Sequence, residues 1–123
     1  MVEYSDLYGF FSDDLDELAS IIGSSLGITF SSHESLYHGG DYYLWEDEIT
    51  SESFRLQSNR DLLESAPEDA WAEPEFRQYP SLLYVSGTVR PAEIEKAILE
   101  TLKEGAAILQ RETLNEDSAE NQS

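Results

Sequence analysis

The chain has 123 residues, with 26 Asp and Glu against 7 Lys and Arg, a formal net charge of -19 and no cysteine. That length suits a single domain able to bury roughly two-thirds of the surface its unfolded form exposes. Lack of cysteine excludes a disulfide framework, a thiolate metal site and a cysteine nucleophile. The acidity argues against nucleic acid or an anionic membrane as partner, because the field repels phosphate. No run approaches the ~18 apolar residues of a spanning helix, and Met1 to Asp6 lacks the basic-then-apolar layout of a signal peptide, so a cytoplasmic protein is expected.

The charge is unevenly spread. Met1 to Phe54 holds twelve Asp or Glu and no Lys or Arg. Such a field speeds encounter with a basic partner. Adaptation to a salty cytosol would produce the same net charge.

Residues 1 to 11 carry Tyr4, Tyr8, Phe10 and Phe11 around Gly9 and read as an irregular or short extended lead-in. Ser12, followed by Asp13, Asp14, Asp16 and Glu17, predicts an N-cap and an acidic first turn. A helix over about 13 to 25 follows, with an apolar stripe of Leu15, Leu18, Ala19, Ile22 and Leu26, closed by Gly27. A short strand is expected over about 28 to 32, and a second over about 41 to 47 that turns back on it through Gly39-Gly40. Ser53 to Gln57 alternates as a half-buried strand with Phe54 and Leu56 inward. Asn59 to Ser81, with three prolines and six acids, is a long connection that could hide a helical turn around Ala66 to Trp71. Leu82 to Val85 is a continuous apolar run, as in a strand covered on both faces. Thr88 and Pro91 open a second helix, whose stripe of Ile94, Ala97, Ile98, Leu102, Ala106 and Leu109 spans about five turns, with Gly105 as a weak point. The expected architecture is α+β: a mainly antiparallel sheet of about four strands with an N-terminal and a C-terminal helix packed on it, forming one domain over residues 1–114 with a polar, frayed tail at 115–123.

Chemistry is sparse. His33 and His38, with Glu34 and Asp41 near them, are five apart, a spacing that matches no standard metal site. Gly39-Gly40 lacks a following basic residue and makes a poor phosphate cradle, and no nucleophile elbow, phosphate loop or zincin motif occurs. No catalytic, cofactor-binding or metal-ligating residue is assigned, and a non-enzyme is expected. Binding is better supported. Strand alternation puts Asp41, Tyr43, Trp45 and Asp47 on one face and Tyr42 and Leu44 on the other, and only the second pair reads as core. Tyr43 and Trp45 are then candidate anchors, with Asp41, Glu46, Asp47 and Glu48 around them to meet Lys or Arg of a partner. Trp71, among the acids Glu68, Asp69, Glu73 and Glu75, marks a weaker second patch. Core packing is the alternative for any one of these rings.

Four segments together resemble small bacterial immunity proteins, the antitoxins encoded beside contact-dependent growth inhibition and other polymorphic toxins. They are Leu26 to Phe30, His33 to Tyr43 with Gly39-Gly40-Asp41-Tyr42-Tyr43, Phe54 to Asn59, and Leu82 to Val85. The resemblance implies a cytoplasmic protein that binds and neutralises one cognate toxin domain, often a nuclease, by masking it; it carries over no residue roles. Nuclease domains are commonly basic, which agrees with the charge. An acidic adaptor or nucleic-acid mimic that occupies a basic host protein is the alternative, and a small enzyme using carboxylate chemistry is the third. Oligomeric state is left open.

Overall fold

The computed structural model describes residues 2–35, 40–60 and 71–114. Its elements, in chain order, are β1 (Glu3–Phe10), α1 (Leu15–Leu26), β2 (Ser31–Ser35), β3 (Gly40–Glu46), β4 (Ser53–Ser58), β5 (Ser81–Thr88), α2 (Pro91–Leu102) and β6 (Ala106–Leu114). All strand pairs are antiparallel, in the order β2-β3-β4-β5-β1-β6. The α+β class therefore stands, but among the described residues the sheet has six strands where about four were expected.

Both additional strands come from segments read otherwise. β1, expected as an irregular lead-in, lies inside the sheet between β5 and β6. Leu7, Tyr8, Gly9 and Phe10 are all buried, so this half of the strand shows no polar–apolar alternation. Gly9, which looked like an interruption, makes room instead: a Cβ there would sit 2.6 Å from Tyr79 Cγ and 2.9 Å from Leu109 Cδ1. β6 replaces the last two turns of the expected C-terminal helix. That helix stops at Leu102, a 3₁₀ turn over Lys103–Gly105 follows, and Ala106 starts a strand on the β1 edge. Ala106-Ala107-Ile108-Leu109 suits either period, and an available strand edge decides the matter.

Both helices cover one face. Leu18, Ala19 and Ile22 of α1 and Ile94 and Ile98 of α2 close on Tyr8, Phe10, Phe54, Leu56, Leu83, Val85 and Ala106. Ser25 Oγ and Thr101 Oγ1, 2.7 Å apart, tie the helices together. β5 is covered on both faces, as its apolar run predicts, with Leu82, Leu83 and Val85 fully buried. On the opposite face, part of the cover comes from the segment after residue 70. Buried Asn59 holds that segment by donating from Nδ2 to the carbonyls of Phe76 (2.9 Å) and Tyr79 (3.0 Å) and accepting from the Glu73 amide (2.8 Å). The Gly39 turn, most of the suspected helical turn at 66–71 and the 115–123 tail lie outside the described residues.

Candidate functional site

The first turn of α1 is fixed by its own side chains. The Asp14 amide donates to Ser12 Oγ (3.1 Å), and Asp14 Oδ1 accepts from the Glu17 amide (3.1 Å), so Asp14 is the N-cap. This directs Asp13, Asp14 and Asp16 toward the β2–β3 side of the molecule. The Tyr43 hydroxyl donates to Asp16 Oδ1 and links helix to strand. On the same face, the register sets Ser32 beside Tyr43 and Glu34 beside Asp41. The outcome is an open groove of about 770 Å³ lined by Asp13, Asp14, Asp16, Glu34, Asp41, Tyr43 and neighbours, with no Lys or Arg among the described residues of its wall.

The rings differ from expectation in which face is covered. Tyr43 and Trp45 do share a face, but it is the one beneath the helices. Tyr43 packs edge-on to Phe30 with centroids 6.5 Å apart, and Trp45 stacks on fully buried Phe54 at 5.2 Å and 23°. Tyr42 and Leu44, expected as core, lie on the opposite face, where Tyr42 stacks on His33 at 5.3 Å. The reason is general: alternation separates two sets of side chains without saying which set the helices will cover.

Of the other candidate residues, Asp41, Glu46 and Glu48 are exposed. Asp47 caps the β3–β4 turn, its Oδ1 accepting from the amides of Ile49 (2.9 Å) and Thr50 (3.3 Å). A second groove of about 510 Å³ runs beside this turn, lined in part by Glu46, Asp47 and Glu48. Trp71 is half-buried and bridges to Arg60 through its backbone. Its neighbour Glu73 accepts from the Tyr84 hydroxyl at 2.7 Å; that bond, after burial, pushes the phenol's pKa up. Glu68 and Asp69 lie outside the described residues.

Three arginines are engaged within the fold. Arg90 forks onto buried Glu52 at 2.8 and 3.1 Å, and Glu52 also accepts from Thr88 Oγ1 at 2.7 Å. Burial alone would raise the Glu52 pKa, but these bonds and the Arg90 charge outweigh it and hold the carboxyl below its ordinary value. Arg111 forks onto buried Asp6 at 2.9 Å to each oxygen and reaches Glu95 at 2.9 Å. Arg55 lies over the Tyr84 ring at 4.5 Å. Sequence reasoning missed these pairings and also the meeting of the α1 acids with Glu34 and Asp41, because partners more than fifteen residues apart leave no local signal.

Among the described residues, no group of three or more His, Asp or Glu is placed to hold a metal ion, and every buried side-chain nitrogen or oxygen has a hydrogen-bond partner. His38 lies outside them. Among the described residues, no helix is long and apolar enough to cross a membrane. No protein-family model matches the chain, and no curated protein matches it in sequence.

Proposed function

We propose that this protein is an immunity-type inhibitor that binds and neutralises a basic toxin domain, of which a nuclease is the leading class, by stoichiometric masking in the cytoplasm. One observation carries the reading. The stretch from Met1 to Phe54, with twelve acids and no basic residue, supplies α1 and the β2–β3 end of the sheet, while Arg90 and Arg111 are held by Glu52 and Asp6. Those two arginines neutralise only Glu52 and Asp6, and among the described residues no Lys or Arg lines the groove of Asp13, Asp16, Glu34 and Asp41, a surface that suits a cationic partner. The exposed carboxylates of Asp41, Glu46 and Glu48, with Asp13 and Glu34, are its contact groups; Tyr43 and Trp45 hold the strand that presents them. The protein acts without turnover of its own.

Titration against a basic nuclease toxin domain encoded beside it should abolish nuclease activity near one-to-one. Association should slow by about tenfold or more from low to physiological ionic strength, since steering is screened over roughly 8–10 Å. Protection at strongly substoichiometric amounts would mean an enzyme. A salt-independent rate would leave the acidity to solubility. Tight binding to a basic host protein, with no neighbouring toxin gene, would favour the adaptor.

A further inference from the structure

β2 is a terminal strand, and among the described residues no strand pairs with its outer side. Such an edge presents free amides and carbonyls to any extended chain, and proteins commonly blunt it with proline, lysine or a bulge. Ser31–Ser35 has none of these. Its five residues pair with β3 in unbroken register, whereas at the opposite edge β6 pairs with β1 through a register shift and carries both Arg111 and Glu112. The guards of β2 are its shortness and negative charge: Glu34 on the strand, with Asp41, Asp13 and Asp16 in the groove alongside. A guard of one sign is selective. It repels a second copy of a chain with charge -19 and admits a positively charged strand.

We propose that the β2 edge is a strand-addition site for a basic extended segment of the partner, an inference that rests on the inhibitor reading above. A strand laid along β2 would send alternate side chains to the two faces of the sheet. Those on the helix side project over Ser32 and Glu34 toward the carboxylates of the 770 Å³ groove, so Lys or Arg belongs there. Those on the other side meet Ser31 and His33, backed by Leu44 and Tyr42, along the 510 Å³ groove that also holds Glu46 and Glu48. The fitting segment therefore carries Lys or Arg at every second position, the ones on the helix side. Main-chain bonds supply affinity, and the acidic groove supplies register and sign.

The test uses the full chain and a synthetic peptide of about eight residues alternating Lys and Val. Binding is measured by calorimetry at low salt, and β2 amide exchange is followed with and without peptide. Three comparison peptides are an equally charged one with its Lys grouped at one end, and two N-methylated at alternate amides, odd or even. Strand addition uses every second amide of the added chain, so one methylated series should bind about tenfold or more weakly while the other is tolerated. The grouped peptide should also weaken, β2 amides should gain protection, and Glu34→Lys should weaken the parent peptide by about tenfold or more, this exposed position leaving the fold intact. Equal binding of all four peptides, protection elsewhere than β2, no binding at millimolar peptide, or a β2-mediated dimer in sedimentation would each overturn the site. Should any of these occur while toxin titration still ends near one-to-one, the inhibitor reading survives and this edge is excluded from it.

Discussion

Gly87 and Gly27 provide a matched pair of substitutions, since both have left-handed backbones, with φ of 68° and 70°, but different surroundings. Gly27 closes α1, and a Cβ built there meets nothing within 4 Å. Gly87 sits in β5 near its end, where the register against β1 shifts, and a Cβ there would lie 2.7 Å from the backbone oxygen of Ser51. Gly27→Ala should cost only the left-handed penalty, about 1 kcal/mol. Gly87→Ala carries that penalty plus an overlap with backbone that no side-chain rotation relieves, adding about 1–3 kcal/mol. Ser51 has little room to yield: its own φ is 66°, and its amide donates to the Asp47 carbonyl at 2.8 Å. In a domain of this size the difference amounts to roughly 5–10 °C in Tm. Thermal melts and denaturant curves with an unchanged m-value would measure it. Because the Ser51 turn carries Glu48 and leads into Glu52, Gly87→Ala should also slow association with the basic partner, while Gly27→Ala should not. Equal melting temperatures for the two variants would refute the close-approach argument.

Trp45→Ala should lower stability by about 2–3 kcal/mol, since the ring is half-buried and stacked on Phe54, and calorimetric melting should show it; an unchanged Tm with lost partner affinity would restore Trp45 as an exposed anchor. Glu52→Gln should cost about 1–3 kcal/mol near neutral pH by weakening the bonds to Arg90 and Thr88. Because the folded pKa of Glu52 lies below its ordinary 4.5, its contribution is fully present above that value and is lost as pH falls through the folded pKa. The stability gap between wild type and Glu52→Gln should thus be constant from neutral pH to about 4.5 and shrink below it, as read from denaturant midpoints across pH. A gap unchanged down to the acid limit would show that packing, rather than charge, sets the value of this site.

Legibility followed the range of the physics. Ser12 to Gly27 yielded a helix because stripe, cap and stop lie within that stretch, although the capping side chain proved to be Asp14 rather than Ser12. Phe54 and Leu56 were readable as inward, and Leu82 to Val85 as a strand covered on both sides, since burial is written directly in their apolarity. The strand expected at 28–32 begins at Ser31, so the hairpin partner was right and the boundary three residues early. In the candidate site, the exposed acids Asp41, Glu46 and Glu48 were legible as surface. The roles of Tyr43 and Trp45 were not, because rings with polar tips are at home on either face of a sheet.

By itself, the sequence determined the α+β class, the antiparallel hairpin, the presence of both helices with the Pro91 start of the second, and the acid-only character of the first 54 residues, all of them consequences of composition or of periods a few residues long. Tertiary structure decided the rest. It made strands of Glu3–Phe10 and Ala106–Leu114, because each completes the other's hydrogen bonds across a hundred residues of chain. It turned the Tyr43 face toward the helices, and it drew Asp13 and Asp16 beside Glu34 and Asp41. Which face is covered, which edge stays open and which charges become neighbours depend on pairings between distant segments, and the free energy of such a pairing is written in neither segment alone.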